Sequence, residues 1–175
     1  STIFGVATRE TIDHPRLYTR FDYDSFFGTV VNRFLTQTVA NYPMTVYGSG
    51  HQRTGLMGLD DSLSSLCAMA TDIPDASTHR VINHVTEQGY SIIELAEEIA
   101  QIAEAEGFRP KIERGNYDPR GEQPKEKLGY KIEADYVSGH LTPTPIAQIL
   151  KETFKIVAGL KEHIEAAHFP PRVQW

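Results

Sequence analysis

Hydrophobic positions along the chain alternate between short extended runs and longer stretches at helical spacing. The first 43 residues contain a strand candidate at residues 2–6, a polar loop, and a helix predicted over residues 25–41. Asp24 or Ser25 is expected to cap that helix, and Pro43 lies just past its end. Its apolar positions recur every three or four residues: Phe26, Phe27, Val30, Val31, Phe34, Leu35 and Val39.

The remaining residues repeat the alternation of short strands and helices. Ser91 and Glu94 form a capping box for the clearest helix, which Gly107 ends. Thr144 is expected to cap the last helix, with Pro145 at its first position. An α/β or α+β domain with four or five helices and a small mixed sheet is therefore predicted. The predicted strands are residues 44–47, 56–59, 79–85 and 109–115, and the other helices are residues 60–70 and 145–166.

Composition narrows the class of protein. A net charge of −6 gives no support for a nucleic-acid or membrane-surface partner. A single cysteine, Cys67, excludes an intrachain disulfide framework and favours a cytoplasmic location, and its apolar neighbours predict a buried thiol. The opening STIFGVATRE is strand-like from its start, which favours part of a larger protein; a trimmed start is the alternative.

The sequence features that could support binding or catalysis are limited to those that suit a phosphate ligand. The sequence contains no dinucleotide-binding glycine motif, P-loop, G-x-S-x-G or H-E-x-x-H, and its seven histidines include no pair at metal-ligand spacing. Neither a catalytic nor a metal-binding residue is predicted. Loop arginines and a glycine near a helix start can hold an anion, but the motif alone favours the alternatives, solvated loop arginines and a capped surface helix.

Four stretches carry a family resemblance. In chain order they are RFDYDSFFGTVVNRF, MTVYGSGHQRTGLMGLDDS, RVINHVTEQGYSIIELAEEIA and NYDPRGE. Together they resemble the C-terminal half of the extended short-chain dehydrogenase/reductase family, the nucleotide-sugar epimerases and dehydratases. RFDYD and VTEQ are similar to its UDP-sulfoquinovose synthase branch. The fold class implied is α/β, as the C-terminal part of a Rossmann-type fold.

The resemblance implies a UDP-sugar site whose residues are spread along the chain. Gly28 and Thr29 match the helix start that contacts the diphosphate, and Arg120 matches an arginine on the diphosphate. A branch-specific loop near the sugar is matched by three charged residues: Arg20, Asp22 and Asp24.

The strand that recognises uracil through its backbone is matched by Thr45, Val46 and Tyr47. Arg53 follows in the glycine-rich turn and is the remaining substrate-binding candidate. The family order is Gln-Thr-Arg-Gly, whereas residues 52–55 read Gln-Arg-Thr-Gly. Because side chains alternate along a strand, this shift of one residue predicts that the guanidinium points to the opposite face.

The resemblance also implies what this sequence lacks. The family's glycine-rich NAD loop and its catalytic Tyr, Lys and Thr have no counterpart, and hydride chemistry needs a bound nicotinamide and a base. NAD is therefore the cofactor of the family, and no cofactor is expected to bind this chain alone.

Residues 1–175 are predicted to form one substrate-binding lobe. Residues 1–43 would continue from a missing Rossmann half, and residues 44–175 would form a small α/β lobe. Three functions stay open: a UDP-sugar lobe that works with a Rossmann-half partner chain, a stand-alone binding module that self-assembles as a homo-oligomer, and a degenerate remnant. Whether the chain belongs to an active enzyme is left open.

Overall fold

The computed structural model describes residues 2–24, 26–83, 89–115 and 142–169. Within these ranges it contains four α-helices and six short strands, which confirms the predicted mixed α/β class. The elements are β1 (Thr2–Phe4), α1 (Val30–Val39), β2 (Met44–Tyr47), β3 (Arg53–Thr54), β4 (Leu56–Gly58), α2 (Leu59–Thr71), β5 (Tyr90–Ser91), α3 (Ile92–Ala105), β6 (Ile112–Gly115) and α4 (Ile146–Gly159).

The strands pair two by two. β1 runs parallel to β4, with Phe4 opposite Gly58, and β2 runs parallel to β6. β3 and β5 are antiparallel, with Arg53 opposite Ser91. Because β1 and β4 are parallel, their carboxyl ends lie at one edge, and α2 begins directly after β4 at that edge. Ligands of α/β proteins commonly bind outside the carboxyl ends of parallel strands, so this edge positions the candidate site.

Helices α1, α3 and α4 pack against one another and enclose the hydrophobic core. The predicted capping box is confirmed: Ser91 Oγ accepts from the Glu94 N–H at 3.2 Å, and Glu94 Oε2 accepts from the Ser91 N–H at 2.8 Å. The largest fully buried apolar side chains are Phe34, Phe154, Leu35, Met44, Leu56, Leu95, Ile99 and Leu150.

The first helix is shorter than predicted. α1 begins at Val30 rather than near residue 25, and Thr29 is its cap, with the hydroxyl accepting from the Asn32 N–H at 3.2 Å. The predicted cap at Asp24 or Ser25 was therefore wrong, because Thr29 takes that position; Ser25 itself lies outside the described residues. Thr29 therefore lies just outside the helix rather than in its first turn.

The residues before Thr29 form a separate turn. Asp24 Oδ1 accepts from the N–H groups of Phe26 and Phe27, at 2.6 and 2.9 Å, and closes that turn. A Cβ at Gly28 would lie 2.4 Å from the Asp24 carbonyl oxygen, so the turn requires glycine here. As a result Phe26 and Phe27, predicted on the buried stripe, are 90% and 73% exposed.

The last helix also differs from the prediction. It ends at Gly159 rather than near residue 166, and two short 3-10 turns follow, Lys161–His163 and Ala166–His168. Pro145 is the residue before the helix, and Thr144 does not cap it. Thr144 instead donates its N–H and its hydroxyl to the Asp61 carboxylate, which ties the start of α4 to α2.

Two further predictions were wrong. Residues 79–83 are not part of a strand, and residues 84–85 of that predicted segment lie outside the described residues. Cys67 is exposed rather than buried, because α2 turns Asp61, Ser62 and Ser65 inward. In the part of the chain that the structure describes, no helix has both the length and the apolar character needed to cross a bilayer.

Candidate functional site

A small pocket opens at the edge where β1 and β4 end. Its cavity is about 270 Å³, and we call it the strand-edge pocket. It joins three parts of the chain: the strand edge, the start of α1 and the loop before α1. Its described lining residues are Ile3, Phe4, Gly5, Thr19, Arg20, Asp22, Phe27, Thr29, Asn32 and Leu59.

Asn32 is a buried polar residue in the lining of the strand-edge pocket. Its Nδ2 donates to the Asp22 carbonyl at 3.0 Å and thereby fixes the loop against α1. Its Oδ1 is buried and has no hydrogen-bond partner among the described residues. A buried acceptor in this state calls for a donor from water or from a ligand.

A second cavity, of about 400 Å³, adjoins the first, and we call it the loop pocket. It is lined by residues 20–24, Phe26, Phe27 and His168, so it shares Arg20, Asp22 and Phe27 with the strand-edge pocket.

Charged groups of the loop pocket are ordered by local contacts. Arg20 Nε lies 2.7 Å from Asp22 Oδ1, and the guanidinium lies 5.8 Å from the centre of the Phe27 ring. The N–H groups of Phe27 and Phe26 hold the pKa of Asp24 below its ordinary value. The loop therefore places the Asp22 and Asp24 carboxyl groups beside one guanidinium and four aromatic rings, those of Phe21, Tyr23, Phe26 and Phe27.

The predicted uracil strand is buried behind α1. Thr45 is enclosed and accepts from Gln37 Nε2 through its hydroxyl, while its N–H donates to Gln37 Oε1. Val46 is fully buried. The Tyr47 carbonyl accepts from Gln52 Nε2 at 3.2 Å, so part of this backbone is engaged within the chain.

The end of β2 contacts α1 through an aromatic ring. The Arg33 guanidinium lies 5.0 Å from the centre of the Tyr47 ring, within reach of a cation–π interaction. The Tyr47 hydroxyl is buried without a hydrogen-bond partner in the described ranges. Thr29 and Arg33 are four residues apart, so one face of α1 connects the strand-edge pocket with the end of β2.

Arg53 is engaged at the start of α3 rather than in either pocket. Its Nη2 donates to the Gly89 carbonyl and lies 3.3 Å from Glu94 Oε2. The Ser91 N–H, followed by Arg53, holds the pKa of Glu94 below its ordinary value. Arg53 therefore reinforces the capping box of α3.

The structure brings together part of the predicted set. Arg20, Asp22 and Thr29 share the strand-edge pocket, and Asp24 lies in the adjoining loop pocket, with Gly28 in the turn between Asp24 and Thr29. The predicted residues of β2 and β3 line neither pocket, and Arg120 lies outside the described residues.

Sequence reasoning missed three residues: Asn32, Arg33 and His168. Asn32 and Arg33 had a signal, since they interrupt the apolar stripe VVNRFL with two consecutive polar side chains. His168 had none, because it follows the last helix in a segment without periodicity. No group of three or more His, Cys, Asp or Glu within the described ranges could hold a metal ion.

Similarity to curated proteins extends along most of the chain. UDP-sulfoquinovose synthase, chloroplastic, of Spinacia oleracea is 29% identical over 182 aligned positions, which cover 99% of this chain and 36% of the relative. UDP-sulfoquinovose synthase of Sulfolobus acidocaldarius is 36% identical over 121 positions, covering 69% of this chain and 30% of the relative. The chain thus spans about a third of the length of these relatives. No protein-family profile matches it.

Solved structures share the fold at lower identity. UDP-glucose 4-epimerase from Thermotoga maritima, determined with UDP-glucose, has a TM-score of 0.61 and 17% identity, covering 93% of this chain and 44% of its own. UDP-glucuronic acid 4-epimerase from Bacillus cereus, in complex with UDP-glucuronic acid and NAD, has a TM-score of 0.59 and 19% identity, covering 91% and 43%. The predicted likeness to the C-terminal lobe of nucleotide-sugar epimerases is confirmed at the level of fold.

Proposed function

We propose that this chain, which is similar in sequence to UDP-sulfoquinovose synthase and in fold to nucleotide-sugar epimerases, is a UDP-sugar-binding lobe. It would act in a protein like UDP-sulfoquinovose synthase and would not be catalytically competent alone. NAD accompanies one of the structural relatives, and we propose that this chain by itself binds no cofactor.

The observation that carries the proposal is the position of the strand-edge pocket. It lies at the carboxyl ends of two parallel strands and at the start of α1, where free backbone N–H groups favour an anion such as a diphosphate. Arg20, which is paired with Asp22, supplies guanidinium donors, and the buried Asn32 Oδ1 offers an acceptor for a ligand hydroxyl or N–H.

The outer face of α2 supports the further proposal of a partner. Leu63 and Leu66 are 42% and 55% exposed, whereas Asp61 and Ser65 on the same helix are buried. An exposed apolar face on one side of a helix marks an interaction surface. We propose that a Rossmann half on a partner chain covers it. A cytoplasmic location completes the proposal and rests only on the single cysteine.

A self-assembling binding module is the second candidate, and the same face of α2 favours it. In that case a second copy of the chain would cover Leu63 and Leu66, and a UDP-sugar would not be required. The two candidates therefore differ in whether the free chain binds nucleotide.

Calorimetric titration with UDP and UDP-glucose tests the proposed function. The wild-type chain is expected to bind both, and Arg120→Ala to lose about 1.5–3 kcal/mol of binding free energy, the range for a hydrogen bond to a charged group. Arg16→Ala, at an exposed arginine that lines neither pocket, is the matched control and should bind like the wild type. Absence of binding by the wild type, together with self-association in sedimentation velocity, would favour the second candidate.

A further inference from the structure

Residues 160–169, which follow α4, lie against the loop that precedes α1, and we call them the strap. The Glu165 N–H donates to Tyr23 Oη at 2.9 Å, across 142 positions of sequence. Phe169 is buried, and its ring centre lies 5.6 Å from that of Tyr23 and 5.0 Å from that of Tyr42. Since Tyr42 follows α1, the Phe169 ring joins the residues before that helix to those after it.

The strap has an ordered structure of its own. Two 3-10 turns, Lys161–His163 and Ala166–His168, shape its backbone. Ile164, between the turns, packs against the hydrophobic core of the protein. The His168 ring centre lies 6.0 Å from that of Tyr23, so a second ring of the strap faces the loop. The strap therefore holds Tyr23 from a position that is itself fixed to the core.

Contacts on the other side of the loop hold it to α1 and to the core. The Asp22 carbonyl accepts a hydrogen bond from α1 at 3.0 Å, and Phe21 packs against the core. Farther along, Phe26 and Phe27 are 90% and 73% exposed, so these two large side chains add little burial. The contact of Tyr23 with the strap therefore supplies an anchor that the neighbouring sequence does not.

The strand-edge pocket depends on the order of this loop. Arg20 and Asp22 line the pocket and form an ion pair, with Nε 2.7 Å from Oδ1. The Arg20 side chain is largely exposed, so its position follows that of its backbone. Tyr23 comes directly after Asp22, and a backbone held at Tyr23 keeps both charged side chains at the pocket. A site that is already formed binds more tightly than one that the ligand must order.

We propose that the strap positions the loop before α1 for binding of a UDP-sugar and that Tyr23 and Phe169 are positioning residues. This inference rests on the proposed function. Neither residue lines the strand-edge pocket. They act through the backbone of the loop, which they hold in one arrangement before the ligand arrives. Loss of the strap contacts therefore lowers the fraction of molecules that are ready to bind, and the apparent affinity falls by the same factor.

Hydrogen exchange of the 175-residue chain, measured by mass spectrometry without ligand, tests the strap directly. Phe169→Ala should raise the exchange rate of the amides of residues 20–24 about tenfold, because the loop then opens locally more often. Tyr23→Phe keeps the ring and removes only the acceptor oxygen, so its effect should be smaller, about two- to threefold. Phe154→Leu is the matched control, since this buried ring contacts Phe108 instead, and it should leave these amides unchanged.

Calorimetric titration with UDP-glucose measures the consequence for binding. Phe169→Ala should raise the dissociation constant about tenfold, the factor for a loop that is ready to bind about a tenth of the time. Phe169→Leu should recover most of the affinity, because a leucine can still pack against Tyr23. Phe154→Leu removes buried apolar volume from the core and should bind like the wild type. An effect of stability alone would not separate these variants in this order.

The two measurements separate failure of the strap from failure of the proposed function. Unchanged exchange at residues 20–24 in Phe169→Ala overturns the strap, whatever the ligand does. Raised exchange with unchanged affinity for UDP-glucose overturns the positioning role and leaves the proposed function standing. Failure of the wild type to bind UDP-glucose overturns the proposed function and, with it, the positioning role. Thermal unfolding verifies the fold of each variant, and Tyr23→Phe provides the same test if Phe169→Ala does not fold.

Discussion

Helices α3 and α2 are similar in length and opposite in the way they bury their residues. α3 has a capping box and turns its apolar residues to the core: Ile93, Leu95, Ala96, Ile99 and Ala103 are buried. α2 has no side-chain cap, and its buried residues are polar: Asp61, Ser62 and Ser65. Its Leu63 and Leu66 are exposed. The two helices therefore depend on different parts of the protein for their stability.

The comparison separates the helix that the core of this chain stabilises from the helix whose apolar side the proposed partner would cover. α3 is held by the removal of apolar area from water, the largest favourable contribution to folding. α2 is held in place by polar contacts, between Asp61 and Thr144 and between Asp60 and Arg9, at its first turn. Its apolar side adds little to the stability of the free chain, and this is the side that a partner would cover.

A leucine-to-alanine substitution in each helix tests this comparison, and it has the largest expected effect of the predictions. Leu95→Ala in α3 should lower the free energy of unfolding by about 2–5 kcal/mol, because a fully buried side chain leaves a cavity. Leu66→Ala in α2 should change it by less than about 0.5 kcal/mol, as is usual at exposed positions. Urea unfolding followed by circular dichroism measures both. Equal losses would show that α2 is covered in the free chain.

Removal of the buried carboxylate of α2 should have an intermediate effect. Asp61 accepts from the Thr144 N–H at 2.8 Å and from the Thr144 hydroxyl at 2.9 Å. Asp61→Ala leaves both donors without this acceptor, and we expect a loss of about 1–3 kcal/mol in the free energy of unfolding. Asp75→Ala, at an exposed aspartate, is the matched control in the same urea experiment. A loss no larger than that of the control would show that the contact does not anchor α2.

The elements with purely local signals were predicted well. α3 combines an apolar period with a capping box, and both signals lie within its own residues. The start of α1 was misplaced because two local signals compete, and Asp24 closes its own turn while Thr29 caps the helix. The carboxylates at residues 60 and 61 also predicted that α2 exists, but such a local signal cannot show whether an apolar face meets the core or solvent. The prediction of a buried Cys67 was wrong for the same reason, because its apolar neighbours lie on the exposed side of α2.

Local sequence signals were less informative about the candidate site. Arg20, Asp22 and Asp24 were identified from a resemblance in sequence, and the structure places them at two adjoining pockets. His168 could not be found in this way, because the contact between Tyr23 and Glu165 spans 142 positions. The resemblance also named Arg53 as a substrate-binding candidate, but its guanidinium lies beside the Glu94 carboxylate of the α3 capping box and lines neither pocket.

The smallest expected effect concerns the ion pair at the first turn of α2. Asp60 Oδ2 accepts from Arg9 Nε and Nη2, at 2.9 and 2.6 Å, and Oδ1 accepts from the Arg9 N–H at 3.0 Å. Burial raises the pKa of Asp60, but the hydrogen bonds and the charge of Arg9 outweigh it, so the pKa lies below its ordinary value. Arg9 is largely exposed, and exposed pairs contribute little.

A lowered carboxyl pKa fixes the sign of the pH dependence. The stabilisation from Asp60 is fully present above the ordinary carboxyl pKa of about 4 and is lost as the pH falls through the lowered value. The difference in unfolding free energy between the wild type and Asp60→Asn should therefore be constant from about pH 7 to pH 5 and shrink below about pH 4. Urea unfolding across this range measures it, with Asp75→Asn as control. A difference that persists unchanged to about pH 2 would mean that the Arg9 contacts do not depend on the charge of Asp60, and α2 would then be held at its first turn by hydrogen bonds alone.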